Sequence, residues 1–505
     1  MRKIPATMAT QHPDNASAPF WLDRPFISTV DEVEECYRVF SDLGCNEYMW
    51  DWEGKFVDEA VIDRLLNRYF DYFKKYPIGK DRFLTFRVPN TWNESGYRLA
   101  RAFMTILTAA HTAHEVGMHS PPVFEVILPM TTSAQQLLQL YEKFTIAIQH
   151  EQQLFGKKLL KDNVLEVIPL IEGSATLFQS REILREYVQG YQKMLKKKPP
   201  YLRPFIARSD PALDAGFIPA VLSARGALSE YYRFQDESGI RVFPIIGVGS
   251  LPFRGNLAPD NLDNFFKNYP GVRTVTIQSG FRYDYPADQV QKALKRLELE
   301  LPRLKPILFT DQEIRQTVML SDLFAEQYRP VVSSLAATIN ELAEFVPGRR
   351  ERIPHTGHFG YSRRIGKEGV KLPRAITFVA VFASLGVPPS LIGTGRGLKK
   401  ALREGYEKFL FKQLPTLHED LEQMGHFLNM ENLRFLARKS PAWEKVREDV
   451  QFIEEFLGKR LGPKKPEHFI HRNLVSNVYH FWQSGHKKEI TNEIVQSAMI
   501  RRSIG

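Results

Sequence analysis

Eight short runs rich in β-branched and apolar residues recur along the chain, separated by longer stretches with helical patterning, and this alternation limits the fold more than any other feature. The runs are Asn46–Trp52, Arg82–Pro89, Pro122–Met130, Asn163–Glu172, Tyr201–Asp210, Val242–Ser250, Arg273–Gln278 and Pro389–Gly395. Strands that alternate with helices pair in parallel, because each crossover helix returns the chain to the same end of the sheet. Eight such units imply a closed (β/α)8 barrel, which needs about 250 residues. The sequence has 505, so much of it must form additional helices. We therefore read an α/β fold, a (β/α)8 TIM barrel elaborated with helices, in which residues 1–505 form a single domain. The barrel strands are expected within about 46–395 and a C-terminal helical portion over about 397–505. Residues 1–45 read as a polar lead and a helix around Asp31–Leu43, and about 301–375 as a long insertion before the eighth strand.

Barrels of this kind place their chemistry where strands run out into the following loops. Asp51, Glu53, Arg87, Thr131, Thr132, Glu172, Asp210, Ser250, Arg254 and Gln278 stand at such positions. Glu172 closes Val-Leu-Glu-Val-Ile-Pro-Leu-Ile-Glu and Asp210 closes Arg-Pro-Phe-Ile-Ala-Arg-Ser-Asp. Two carboxylates on adjacent strand ends can hold Mg2+ and leave positions for water and substrate oxygens. Arg87 and Arg254 carry the fork that grips phosphate or carboxylate at two points, and the Gly-rich turn before Arg254 lets backbone amides approach an anion. The array describes a metal site beside an anion site, and hence an enzyme.

Other motifs carry less. Gly393-Thr-Gly-Arg-Gly lacks the spacing and later acid of a dinucleotide loop, and reads instead as a phosphate-side turn after the last strand. His111, His114 and His119 do not share one helix face, which disfavours zinc. His12 sits in Thr10-Gln-His-Pro-Asp-Asn15, a polar segment with no packing duty, and its side chain suits proton transfer near neutral pH.

The 68 Lys and Arg against 58 Asp and Glu give a net charge of +10, dispersed without aromatic-basic clusters. That distribution favours steering of small anions over nucleic-acid binding. Cys36 and Cys45 form neither a CxxC nor a disulfide pattern, consistent with a reducing compartment. The opening Met1-Arg2-Lys3-Ile4-Pro5 lacks a signal-peptide core, and the longest apolar stretch, Ala375–Val387, is too short to span a bilayer. No membrane association and a cytoplasmic location are expected.

Taken together, these segments resemble phosphoenolpyruvate carboxylase in its short archaeal-type form. Met8-Ala-Thr-Gln-His-Pro-Asp-Asn15 is the most specific motif and makes His12 the counterpart of the family's catalytic histidine. Thr85-Phe-Arg-Val-Pro-Asn90 and Leu372-Pro-Arg-Ala-Ile376 supply Arg87 and Arg374 as substrate arginines, with Arg254 beside them. Pro169-Leu-Ile-Glu172 and Ser209-Asp-Pro-Ala-Leu-Asp-Ala-Gly216 supply Glu172 and Asp210 as metal ligands. Ser250 and Gln278 join the substrate side. Val248 stands where the family has a loop arginine, and Leu213 where it has a lysine. Arg363 and Arg364, in Gly357-His-Phe-Gly-Tyr-Ser-Arg-Arg364, are candidates to replace the missing arginine. The C-terminal Ser497–Gly505 resembles the family's Arg-Asn-Thr-Gly ending and is expected near the barrel mouth.

The resemblance implies carboxylation of phosphoenolpyruvate by bicarbonate to oxaloacetate and phosphate, through carboxyphosphate and a metal-bound enolate. It implies Mg2+ as cofactor, with Mn2+ as a substitute, and a homo-oligomer, a tetramer as in the family. The alternative is another Mg2+-dependent barrel lyase or mutase acting on pyruvate-like substrates.

Overall fold

The computed structural model describes residues 2–53, 56–94, 96–160, 165–351 and 369–505, together with the backbone of 362–365. Strands β1 (Thr7–Thr10), β2 (Glu47–Asp51), β3 (Phe83–Arg87), β4 (Glu125–Leu128), β5 (Glu166–Ile171), β6 (Phe205–Ala207), β7 (Ile245–Gly247) and β8 (Thr274–Ile277) close a barrel in sequence order. All neighbours are parallel, and β1 meets β8 with Thr7 opposite Val275 and Ala9 opposite Ile277. The elaborated TIM barrel expected from the alternation is the fold, but its strands begin earlier than expected. Seven of the eight runs supply β2 to β8.

The remaining strand lies inside the polar lead. Thr7-Met-Ala-Thr10 is fully buried yet has no long β-branched run, so its hydrophobic pattern is weak. Pro389–Gly395 is not a strand. It forms a 3-10 turn at Pro389–Leu391 and then enters the helix Thr394–Arg403. That segment is apolar because it is buried between helices, and a short buried run looks the same in either conformation. Residues 301–375 are therefore no insertion within the barrel, since they follow its last strand.

Inside the barrel, Met8, Met49, Ile127, Ile168, Leu170, Phe205, Ala207 and Ile245 form the core. At the lower end, Arg203 donates to Glu47 Oε2 at 2.7 Å and to Glu125 Oε2 at 2.5 Å, while the Tyr201 hydroxyl donates to Glu125 at 2.6 Å. Charges this deep are tolerable only when paired and hydrogen-bonded, as here. This ion-paired network fills the lower end, and a cavity lies at the upper end, where the strands terminate.

A second core lies beside the barrel. The helix Phe217–Ser238 is buried along most of its length, packs with Asp311–Ser334 and shares one apolar core with Ala375–Ser384 and Pro441–Leu457. Among the described residues no single helix is long and apolar enough to cross a membrane. A smaller cluster of Ala16, Val478, Ile490, Ile494, Ala498 and Ile504 fastens the last helix, Lys487–Arg501, to the segment after β1. That packing brings the C-terminal residues back to the barrel mouth. Strands β9 (Ser362–Ile365) and β10 (Val370–Pro373) form a separate antiparallel pair.

Candidate active site

The strand ends converge on a cavity of about 470 Å³. His12 enters it from beyond β1, Arg87 from the end of β3, Glu172 from beyond β5, Asp210 from beyond β6, Arg254 from beyond β7 and Gln278 from beyond β8. Arg374 reaches it from the junction after β10, and Arg349, Arg350 and Ile504 complete the wall. Its floor is the top of the barrel core, where Met49, Leu170 and Phe205 present apolar surface. A small apolar-floored cavity with convergent charged groups is the usual form of a small-molecule site.

The arginines are held by carboxylates from the same rim. Arg87 donates through Nε and Nη2 to the two oxygens of Asp51, at 2.9 and 2.6 Å, and its Nη1 lies 3.0 Å from Glu53 Oε2. Burial opposes the charge on Arg87, but Asp51 and Glu53 more than offset it and hold the guanidinium well above its ordinary value. Glu53 also accepts from Arg374 Nη2 at 3.3 Å, so one carboxylate bridges two arginines of the cavity. Behind them, burial and then the nearby Glu53 push the Glu94 carboxyl up to about 7.

Arg254 is almost wholly enclosed. Its Nε donates to Ser209 Oγ at 3.2 Å, its Nη1 to Asp14 Oδ2 at 3.0 Å and to the Gly505 carbonyl at 2.7 Å, and its Nη2 to Gln278. Four of the five guanidinium hydrogens of an arginine are thereby engaged. His12 Nδ1 and Thr10 Oγ1 share a hydrogen bond of 2.8 Å, which ties the ring to the end of β1. Glu172 and Asp210 are half-buried carboxylates from consecutive strands, both facing the cavity.

The family model described as phosphoenolpyruvate carboxylase matches residues 4–505. The chain is 38% identical over 506 residues to the phosphoenolpyruvate carboxylase of Leuconostoc mesenteroides subsp. mesenteroides, covering 100% of this chain and 99% of that one. It is 39% identical over 523 residues to that of Metallosphaera sedula, covering 100% of both. With that of Oenococcus oeni it shares 39% identity over 481 residues, 94% of each chain. The chain belongs to the phosphoenolpyruvate carboxylase family.

In this member of the carboxylase family the cavity gathers His12, Arg87, Glu172, Asp210, Arg254, Gln278 and Arg374 from the sequence candidates. Ser250 does not line it. Its side chain is buried beside the cavity, and its Oγ has no hydrogen-bond partner among the described residues. The turn that carries it is tight, with Gly249 N donating to Arg254 O at 2.9 Å. A Cβ at Gly249 would lie 2.7 Å from Arg254 Nη1, so this glycine serves the close approach of Arg254. Arg363 and Arg364 lie on β9, and their side chains fall outside the described residues.

The expected phosphate-side turn at Gly393–Gly397 is already occupied by protein. The Asp449 carboxylate accepts from Gly393 N and Arg396 N at 2.8 Å each, and Arg396 Nη2 adds a third bond at 2.8 Å. The C-terminal segment does reach the mouth: Ile504 lines the cavity, and a Cβ on Gly505 would lie 2.0 Å from Ile376 O.

Several residues in or beside this site had no role assigned from sequence. Asp14 pairs with Arg254. Arg208, also in the wall, donates to Tyr269 Oη at 2.9 Å and to the carbonyls of Phe253 and Phe217 at 3.2 and 3.3 Å. Arg349 donates to the carbonyls of Asn15 and Ala16 at 2.9 and 3.2 Å, bracing the His12 segment. Arg350 pairs with Glu35 at 2.6 Å and Glu32 at 3.2 Å. Arg208 was within reach of the strand-end rule, since it stands two positions before Asp210. The partners of the other three come from distant parts of the chain and leave no local signal.

Proposed function

We propose that this protein carboxylates phosphoenolpyruvate with bicarbonate, giving oxaloacetate and phosphate. The observation that carries the reading is the cavity itself: one histidine, two strand-end carboxylates and several arginines around an apolar floor, in a chain of this family. The arginines receive the phosphoryl and carboxylate charge of the substrate. Fixed donors in a largely dry site stabilise developing charge far better than water does, because they need no reorganisation. Bicarbonate attacks phosphorus, and carboxyphosphate and the enolate of pyruvate result. His12, its ring held by Thr10, accepts the carboxyphosphate proton as CO2 is released, and the enolate then takes up CO2 at its methylene carbon. Apolar Met49, Leu170 and Phe205 keep water from the floor, which protects the enolate from a stray proton.

Glu172 and Asp210 fit Mg2+, or Mn2+ in its place. They are hard oxygen donors, and a cation that keeps several waters needs only one or two carboxylates from the protein. When bound, the ion supplies Lewis-acid stabilisation of oxyanion charge. We further propose a homotetramer in the cytoplasm.

Coupling to malate dehydrogenase tests the activity. NADH oxidation should require phosphoenolpyruvate, bicarbonate and a divalent cation together. Turnover of phosphoenolpyruvate that is independent of bicarbonate would instead favour a lyase or mutase on the same barrel.

A further inference from the structure

Asp14 is fully buried, two residues after His12. Its carboxylate divides between two donors: Oδ2 accepts from Arg254 Nη1 at 3.0 Å, and Oδ1 accepts from Gly280 N at 2.7 Å, in the helix that follows β8. Its backbone carbonyl accepts from Ile504 N at 2.8 Å and from Ser503 Oγ at 3.2 Å. Its own amide donates to the His12 carbonyl at 3.1 Å. One residue therefore joins the segment carrying His12, the arginine after β7, the helix after β8 and the C-terminal residues.

The two carboxylate bonds have different freedoms. Gly280 N belongs to a backbone packed against Asp14, with 3.3 Å between an added Cβ and the Asp14 carbonyl, so that donor cannot follow a displaced partner. Arg254 is a side chain and can turn. It is held on its other edges by the neutral acceptors Ser209 and Gln278 and by a main-chain oxygen of Gly505, so Asp14 is its only side-chain carboxylate partner within hydrogen-bonding range among the described residues. A buried guanidinium that loses its side-chain counter-charge is less well compensated, and it would rotate toward another acceptor or water that could serve.

We propose that Asp14 is a positioning residue for Arg254: it fixes the angle at which the guanidinium meets the cavity and, through the same residue's backbone, seats Ser503–Gly505 against it. The kinetic consequence rests on the carboxylase reading, while the structural consequence does not.

Asp14→Asn separates the two. An amide has one acceptor oxygen, so Gly280 N keeps it and the NH2 faces Arg254, at nearly unchanged shape. A crystal structure of the Asp14→Asn protein should show the Arg254 guanidinium turned from its present place, and an unmoved Arg254 would overturn the proposal whatever the activity. A double-mutant cycle with Arg254→Gln gives the second readout. Asp14→Asn alone should lower kcat/KM for phosphoenolpyruvate by about 10–100-fold, the usual effect of removing a residue that orients a site group. In the Arg254→Gln background the same change should cost less than about 3-fold, because coupled residues are non-additive. Equal losses in both backgrounds would mean that Asp14 acts through the fold and not through Arg254. Failure of the wild-type protein to form oxaloacetate would count against the carboxylase reading alone, leaving the Arg254 conformation to decide this one.

Discussion

Asp51 and Arg87 face each other across β2 and β3 in a two-point grip, Nε to Oδ1 at 2.9 Å and Nη2 to Oδ2 at 2.6 Å. Both side chains are buried, so the acid sets the plane in which the Arg87 guanidinium faces the cavity. Asp51→Asn keeps the volume but cannot accept from both nitrogens. We expect kcat/KM for phosphoenolpyruvate to fall about 10–100-fold. Arg87→Lys should rescue little, since an ammonium cannot reproduce the paired geometry. Steady-state kinetics of the two variants decide it, and a normal kcat/KM in Asp51→Asn would show that Arg87 needs no such support.

Glu172 and Asp210 come from consecutive strands and face one cavity. If they hold the divalent cation, Glu172→Ala or Asp210→Ala should abolish turnover and weaken Mg2+ binding in calorimetric titration. Activity of the native protein should vanish with chelator and return with Mg2+ or Mn2+. Full activity under excess chelator would remove the metal from the scheme.

For His12 the informative measurement is the product ratio. His12→Ala should lose carboxylation by roughly 10²–10⁴-fold, as expected of an acid-base residue. Bicarbonate-dependent cleavage to pyruvate should be lost less severely, because attack on phosphorus depends on the cation and the arginines. Undiminished oxaloacetate from the variant would exclude His12 from the proton transfer.

Fold and site were legible to different degrees, for physical reasons. Strands β2 to β8 each carried an apolar run ending near a chemically capable residue, and that pattern is local. β1 did not, because Thr7-Met-Ala-Thr10 is buried mainly through its neighbours β2 and β8 rather than by a strong pattern of its own. The apolar Pro389–Gly395 deceived for the converse reason, since helices bury a turn as thoroughly as a sheet buries a strand. Glu172 and Asp210 could be named because a carboxylate closing a buried strand is unusual in itself. Asp14 could not, because its partner Arg254 is 240 positions away. Nor did the sequence reveal that Asp449 fills the Gly393 turn, which a glycine-rich motif leaves open on paper.

Glu94 offers a test of the network behind Arg87. Burial and then Glu53 raise its carboxyl from 4.5 to about 7, partly offset by Arg98. A folded-state value above the unfolded one means that the folded protein holds the proton more tightly. Its contribution to stability is therefore full below about pH 4.5 and is lost as pH rises through about 7. Glu94→Gln cannot lose a proton, so thermal midpoints followed from about pH 5 to about pH 8 should fall less in the variant than in the native protein. Identical slopes would mean that Glu94 titrates as an ordinary carboxylate.

The C-terminal helix carries the opposite pH dependence. His471 is buried, and its Nε2 lies 2.8 Å from Arg501 Nη1. An arginine can only donate, so that ring nitrogen must be unprotonated and the imidazole neutral. Burial pushes His471 well below its ordinary 6.5, and Arg501 and then His468 act in the same direction. His426 stacks on His468, and Phe427 lies against both His468 and His471. Below 6.5 the unfolded chain takes up the proton first, and stability should decline by up to about 1.4 kcal/mol for each pH unit until the folded value is reached. Arg501 closes the helix that leads to Ser503–Gly505, so the loss should appear at the barrel mouth as weaker seating of Ile504 and Gly505. His471→Gln offers Arg501 an amide oxygen that does not titrate. Its thermal midpoint between about pH 7 and about pH 5 should fall less than that of the native protein, and its activity should survive acidification better. Parallel decline of the two proteins would place the acid sensitivity elsewhere and leave the His471–Arg501 bond as packing alone.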